Sequence, residues 1–236
     1  MSHTADRPAA APARGATLGA ALIIGSLVPL VPGQAVLPSL PLGLLIAAVT
    51  LLALVIAVAA VAVAPGERGA LPARLEASAL WAACALAALY AAAGIATVAE
   101  TLDLENIVLA QRNTALHVIR QPVAAWIFVV AVTMAGHESA LDALLGPPSR
   151  GRALALGAML LALSALGATL FLGGFDGRRL PPPAWLALKT LVIAALVLLL
   201  RARLRGLTLR ARLAIAWAAG LAGLINLVVA LTLAVQ

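Results

Sequence analysis

The stretch TLFLGGFDGRRLPPPAWLALKTLVIAALVLLLRARLRGLTLRARL, residues 169–213, decides the fold. Its glycine pair, Gly173 and Gly174, permits a turn that ends one helix. The three prolines at 181–183 favour the first turn of the next helix, where a missing N–H costs nothing. The apolar run after them ends in residues 201–212, which hold five arginines and no acidic residue. Because so many arginines cannot cross a bilayer cheaply, this segment predicts a loop on the cytoplasmic side.

The composition of the whole chain is that of an integral membrane protein. Of its 236 residues 64% are hydrophobic and 11% are charged, and the mean hydropathy is +1.08. The formal net charge of +7 comes from arginines in short segments between apolar runs, which indicates a topology signal and not a nucleic-acid surface. The single cysteine, Cys84, lies in an apolar run and is typical of a small buried hydrophobe. It excludes an internal disulfide and a metal site made of cysteines.

Hydropathy predicts an all-α membrane protein with about seven transmembrane helices. A disordered cytoplasmic tail over residues 1–15 precedes a polytopic membrane domain over residues 16–236. A signal peptide is the alternative for the first apolar run, since two arginines precede it, although no clean cleavage site follows. Residues 100–120 carry too many charges for a span and predict a surface helix or a re-entrant segment. The predicted spans cover about residues 16–31, 41–64, 76–99, 121–136, 153–172, 184–200 and 213–235.

The distribution of arginines predicts the orientation. With a cytoplasmic amino terminus, seven spans place eleven arginines in cytoplasmic segments and four outside. This asymmetry follows the positive-inside rule and favours an inside start. The short apolar run at 121–136 predicts a helix that is little tilted or partly buried in protein.

No arrangement of residues predicts a catalytic centre or a metal site, but two places carry polar groups of interest. Lys189 lies inside a predicted span, which indicates either a functional charge or a side chain that reaches the membrane interface. His137, Glu138 and Asp142 cluster after the fourth span, where they indicate either a helix cap or a proton relay.

Several motifs resemble those of a known family. TLFLGGF, residues 169–175, resembles the L-F-L-G-G-W turn of the membrane protein that joins the two arms of respiratory complex I. The following helix start resembles that family's W-x-x-x-K, which falls on Trp185 and Lys189. The arginine-rich segment resembles the family's arginine loop, with Trp217 at the matching spacing. The family is that of the NADH-quinone oxidoreductase H subunit, which has relatives in energy-converting hydrogenases and formate hydrogenlyases.

Earlier motifs extend the resemblance from about residue 41 to the end of the chain. LDLENIVLAQR resembles the segment that ends in the family's A-Q, here Ala110 and Gln111, and QPVAAWIF resembles its Q-P-x-x-x-x-I-F. Asp142 falls where the family has the aspartate of P-F-D. The chain also departs from the family: it resembles a form shortened at the N-terminus, and the membrane carboxylate of the S-Y-E motif falls on Ala83. These departures predict a degenerate quinone site.

The resemblance implies a non-catalytic membrane subunit of a complex I-like, redox-driven, ion-translocating assembly in the bacterial inner membrane. Iron–sulfur clusters are then expected in peripheral partner subunits and not in this chain, and antiporter-like subunits are expected beside it. The alternatives are a subunit of an energy-converting hydrogenase or formate hydrogenlyase, and a stand-alone small transporter or scaffold. Candidates for a proton path or polar network are Lys189, Asp142, Glu138, His137 and Gln111. The expected interface with the peripheral arm consists of Arg150, Arg152, Arg201, Arg203, Arg205, Arg210 and Arg212.

Overall fold

The protein is a bundle of helices connected by short turns. The computed structural model describes residues 10–32, 42–63, 71–136 and 138–234. Within these ranges the helices are α1 (Ala10–Leu27), α2 (Gly43–Val63), α3 (Leu71–Ala99), α4 (Leu104–Asn113), α5 (His117–Arg120), α6 (Pro122–Met134), α7 (Glu138–Leu145), α8 (Arg150–Leu172), α9 (Pro182–Arg203) and α10 (Leu209–Ala234).

Five helices, α2, α3, α8, α9 and α10, are long and apolar enough to cross a membrane. Two shorter apolar helices, α1 and α6, accompany them. The prediction of an all-α integral membrane protein is therefore confirmed, and the chain is a multi-pass membrane protein. The seven predicted apolar runs fall on these seven helices, while the number that cross the bilayer and the cytoplasmic amino terminus stay predictions.

Helix α6 lies at the centre of the bundle. It packs against α3, α8, α9 and α10, and the outer helices contact one another in the order α10, α3, α2, α1, α8 and α9. Most of α6 is buried, including Phe128, which is 1% exposed. The expectation that this short apolar run is partly buried in protein is confirmed.

Small residues allow the closest helix contact, between α3 and α10. A Cβ atom added to Gly223 of α10 would lie 2.9 Å from the Cβ of Tyr90 on α3. The facing part of α3 contains Ala87, Ala88 and Ala91, which are all buried. In lipid, where helix association depends on van der Waals packing, such small residues let two backbones approach closely.

The turn between α8 and α9 has the predicted form. Gly173 ends α8 in the left-handed conformation with φ 72°, and Gly174 follows with φ 44°. Both angles favour glycine, because a side chain is hindered there. Helix α9 then begins at Pro182, after Pro181 at the N-cap, so the prolines occupy the start of the helix as expected.

Some predicted boundaries are wrong. Helix α1 begins at Ala10, so the disordered tail predicted for residues 1–15 is too long by the six residues that α1 includes. Pro12 suggested a break, but proline is tolerated in the first turn of a helix. The region after the fourth span, predicted as a loop, contains α7. Residues 100–120 form the short helices α4 and α5, which agrees with the prediction of a non-spanning segment.

The arginine-rich segment 201–212 is also not a loop. Its first three residues belong to α9, and α10 begins at Leu209, so only residues 204–208 connect the two helices. Arginine is a good helix former with a long stem, and at the end of a span it extends the helix beyond the hydrocarbon region.

Candidate functional site

The arginines predicted to be cytoplasmic gather at one end of the bundle, here called the arginine end. Arg14 of α1 donates a hydrogen bond from Nη1 to Ser149 Oγ, at the start of α8, over 3.1 Å. Arg210 of α10 lies 3.8 Å from Glu76, near the start of α3. Arg201 of α9 donates to the end of α6. The described members of the predicted cytoplasmic set therefore come from helix ends that lie together.

The pattern Arg-x-Arg occurs at three of these helix ends, and each pair divides between the interior and the surface. Two residues correspond to about 200° of rotation on a helix, so the two side chains point to opposite sides. The inward members are at least partly buried: Arg152 is 7% exposed, Arg212 is 3% exposed, and Arg201 is half-buried. The outward members are exposed; they are Arg150 of α8, Arg203 of α9 and Arg210 of α10.

Each inward arginine binds a main-chain carbonyl where a helix or its connection ends. Arg152 Nη1 donates to the carbonyl of Gly146 over 2.6 Å and also to the carboxylate of Asp142. Arg201 Nη2 donates to the carbonyl of Val132, in the last turn of α6, over 2.9 Å. Terminal carbonyls lack partners within their own helix, so these guanidinium groups satisfy and stabilise the helix ends.

Arg212 does the same for α9. Its Nη2 donates to the carbonyl of Leu204, the C-cap residue of that helix. The inward arginines therefore hold the framework of the arginine end together, and only the outward ones face a partner. The predicted interface with the peripheral arm is correspondingly reduced to the exposed members Arg150, Arg203, Arg205 and Arg210.

Gly136 determines where the Arg201 guanidinium lies. A Cβ atom added to Gly136 would lie 2.2 Å from Arg201 Cζ and 2.2 Å from its Nε. The guanidinium thus lies directly against the backbone that follows α6, in space that only a glycine leaves open.

A charged pocket of about 670 Å³, here called the arginine pocket, opens at this end. The predicted candidates Glu138 and Asp142 line it and are exposed. His137, the third member of their predicted cluster, lies outside the described residues. The arginines that line the pocket are Arg152, Arg201, Arg205 and Arg212.

An apolar cavity of about 70 Å³ adjoins the arginine pocket in the interior of the bundle. Leu51 of α2, Trp81 and Cys84 of α3 and Met159 of α8 are among its lining residues. Gly136, Leu156 and Arg201 line both spaces. A polar chamber and an apolar chamber therefore share one wall.

The other two polar candidates, Gln111 and Lys189, lie at the opposite end of the bundle. Gln111 Nε2 donates to the carbonyl of Thr169 over 2.8 Å, near the end of α8. Arg152 lies at the start of the same helix, about 25 Å away by helix rise. The structure therefore does not bring the predicted polar residues into one network but places them in two groups at opposite ends.

Lys189 reaches the turn before its own helix. Its ammonium group donates to the carbonyl of Asp176 over 2.6 Å and lies 5.5 Å from the centre of the Trp185 ring. This geometry agrees with the alternative in which a long side chain reaches the membrane interface from inside a span. Lys189 thereby holds the α8–α9 turn in place.

His117 was not predicted from the sequence as a site residue, although its side chain is fully buried outside the spans. It is 0% exposed, and neither ring nitrogen has a hydrogen-bond partner among the described residues. Its backbone N–H donates to Gln111 Oε1 over 3.2 Å. Burial, and secondly the charge of Arg120, lowers the pKa of His117 to about 4, so its ring is neutral at physiological pH. Its apolar neighbours in LHVI were the available signal.

A further polar contact lies between α3, α6 and α10. Gln121 Nε2 donates to the carbonyl of Gly94 over 3.3 Å, and Asn226 Nδ2 lies 3.4 Å from Gln121 Oε1. The sequence singled out Asn226 only through the resemblance, and its partners were not predictable without the packing of α10 on α3.

The chain is similar to curated proteins of one kind, the H subunit of NADH-quinone oxidoreductase. Form 1 of this protein from Rhodopseudomonas palustris (strain HaA2) is 36% identical over 121 residues, which are 45% of this chain and 38% of that protein. Form 2 from Cereibacter sphaeroides (strain ATCC 17029) is 32% identical over 153 residues, 58% of this chain and 48% of that protein. No protein-family model matches the chain.

The matched region spans less than half the length of these two relatives. Form 2 from Rhodopseudomonas palustris (strain CGA009) is 34% identical over 121 residues. These relatives carry the same name that the motifs around the α8–α9 turn indicated. The comparisons therefore confirm the resemblance of this chain to the family of the NADH-quinone oxidoreductase H subunit.

Proposed function

We propose that the chain is a membrane subunit of a complex I-like, redox-driven, ion-translocating assembly of the bacterial inner membrane. Its arginine end faces the cytoplasm and anchors the peripheral electron-transfer arm. The similarity to H subunits of NADH-quinone oxidoreductase supports the assembly, and the asymmetry of the arginines supports the orientation.

The observation that carries this proposal is the outward set of arginines. Four exposed guanidinium groups, on Arg150, Arg203, Arg205 and Arg210, lie at one end of a protein whose sides are apolar. Arginine is enriched in protein interfaces, and a positive surface attracts an acidic partner and increases its association rate. An acidic face on a peripheral subunit is the partner that fits.

Two features support a role without redox chemistry in this chain. Iron–sulfur clusters are held by several cysteine thiolates, whereas this chain has one cysteine, Cys84, which is buried. The apolar cavity of about 70 Å³ is less than half of the roughly 150 Å³ that accommodates a benzene ring. The clusters therefore belong to partner subunits, and any quinone site that uses this cavity is degenerate.

Co-purification tests the assembly. The tagged chain is extracted from its native membrane in a mild detergent, and the proteins that accompany it are identified by mass spectrometry. We expect peripheral iron–sulfur subunits together with large antiporter-like membrane subunits. Hydrogenase or formate dehydrogenase subunits would assign the chain to the alternative assembly. Recovery of the chain alone, under conditions that keep other respiratory complexes whole, would refute the proposal.

Charge reversal tests the docking surface. Arg203→Glu combined with Arg205→Glu changes exposed residues at the arginine end, and we expect it to release the peripheral subunits. Arg178→Glu combined with Arg179→Glu is the matched control, because these residues are equally exposed but lie in the α8–α9 turn at the opposite end. Equal loss of peripheral subunits from both double variants would contradict docking at the arginine end.

A further inference from the structure

The arginine pocket carries more positive charge than its own carboxylates balance. Four arginines line it, against Glu138 and Asp142, which leaves a surplus of two positive charges. Asp142 is already bound to Arg152. Among the described residues no carboxylate lies within ion-pair distance of Arg201 or Arg212.

Hydrogen-bond donors are also left over at two of these arginines. A guanidinium group offers five N–H donors. Arg201 uses one on the carbonyl of Val132, and Arg212 uses one on the carbonyl of Leu204. The Nε atoms of both arginines are buried without a partner among the described residues. Since buried charged donors without partners are costly, an additional acceptor at this place would stabilise the protein.

The surroundings of the pocket favour an acceptor that comes from the membrane. Leu198 of α9 lines the pocket and is 51% exposed on the apolar side of the bundle. Leu154 of α8, the other helix that contributes to the pocket wall, is 68% exposed. The pocket therefore lies where the ends of α8 and α9 meet the lipid, with arginines above and leucines below.

We propose that the arginine pocket binds the phosphate group of an anionic phospholipid from the cytoplasmic leaflet. The phosphate oxygens accept hydrogen bonds from the guanidinium groups of Arg201, Arg205 and Arg212, in the paired geometry that suits arginine and phosphate. The acyl chains lie along the exposed leucines of α8 and α9. This inference does not depend on the proposed function, since it concerns the isolated chain in lipid.

Lipid binding to the purified full-length chain tests the proposal. The chain is placed in phosphatidylcholine nanodiscs that contain increasing fractions of phosphatidylglycerol, and bound lipid is counted by native mass spectrometry after release. We expect phosphatidylglycerol to be retained in preference to phosphatidylcholine. Equal retention of the two lipids would overturn the proposal. Full displacement of bound phosphatidylglycerol by millimolar inorganic phosphate would also overturn it, because the site would then recognise a free anion.

Variants locate the site. Loss of a hydrogen bond to a charged group corresponds to roughly ten- to a hundredfold weaker binding, which we expect for Arg201→Gln. Gly136→Ala keeps every charge but displaces the Arg201 guanidinium, and we expect weaker binding from it as well. Arg203→Gln is the matched control, since it removes an exposed arginine from the same helix and should change binding less than about twofold.

The variants also separate a lipid from a protein occupant. An acidic segment of a partner protein could present a carboxylate to the same arginines. In that case Arg201→Gln would leave phosphatidylglycerol retention unchanged and would reduce the co-purification of partner subunits. This result would overturn the lipid proposal.

Discussion

Gln111 is the residue whose replacement tests the structure of the opposite end most directly. It is 3% exposed and connects three segments of the chain. Its amide nitrogen donates to the carbonyl of Thr169 on α8, and its amide oxygen accepts the backbone N–H of His117 on α5. The Gln111→Met variant keeps the size of the side chain but removes the donor and the acceptor together.

The expected loss follows from the two main-chain groups that this variant leaves without a partner. Both belong to fully buried residues, since Thr169 and His117 are 0% exposed. A buried polar group without a partner costs about 1–3 kcal/mol, so the two together cost about 2–6 kcal/mol. Because α4 and α5 are short, we expect the segment they form to detach from α8 before the whole bundle unfolds.

Two measurements check this expectation. Limited proteolysis should cleave the Gln111→Met variant between α4 and α6, and unfolding in mixed micelles of dodecyl maltoside and sodium dodecyl sulfate should begin at a lower fraction of the denaturing detergent. Asn113→Met is the matched control, because Asn113 is exposed on the same helix and its replacement should stay within about 0.5 kcal/mol. The same small effect from Gln111→Met would refute the assigned hydrogen bonds.

Three further outcomes are expected. As pH falls from the ordinary pKa of 6.5 towards about 4, the unfolded chain binds a proton that buried His117 does not; stability should decrease by up to about 3 kcal/mol, and thermal unfolding of His117→Leu should lose this pH dependence. Lys189→Met removes the bond to the Asp176 carbonyl, so we expect about 1–2 kcal/mol lower stability but unchanged co-purification of partners, and loss of partners would instead indicate a role beyond the turn. Asp142→Ala leaves the buried Arg152 without its carboxylate and should cost about 3 kcal/mol, whereas Asp142→Ala added to Arg152→Met should cost little more than Arg152→Met alone in the same unfolding assay.

The apolar helices could be predicted from the sequence because hydropathy alone determines them. In lipid every backbone polar group must be satisfied within the segment, so an apolar run of sufficient length has to be helical. The glycine pair and the prolines of the α8–α9 turn were predictable for a similar reason, since few other residues suit a left-handed C-cap or a first helical turn. These features depend on the local chain and not on its neighbours.

The start of α1 could not be predicted in the same way. Pro12 and Gly15 indicate a break when they are considered alone. Arg14 lies between them, and its contact with Ser149 fixes this turn of α1 against the start of α8. Such a contact joins residues far apart in sequence, so it is visible only once the two helices are packed.

The division of the arginines also required the structure. In the sequence, Arg201 and Arg203 are equivalent members of one basic segment and predict one interface. Their two-residue spacing places them on opposite sides of α9, but the spacing does not say which side faces the bundle. The end of α6 decides this, since the carbonyl of Val132 and the open space at Gly136 receive one guanidinium and not the other.

This division explains why a chain with a single lysine has so many arginines at one end. An inward lysine could donate to a terminal carbonyl, but its compact ammonium group is strongly hydrated and costly to bury. The planar guanidinium of Arg152 reaches a carbonyl and a carboxylate at once while it remains charged. The outward arginine of each pair keeps the same charge available to water or to an acidic partner. One Arg-x-Arg pair therefore marks the side of the membrane, closes a helix end and presents a docking charge, which accounts for its recurrence on α8, α9 and α10.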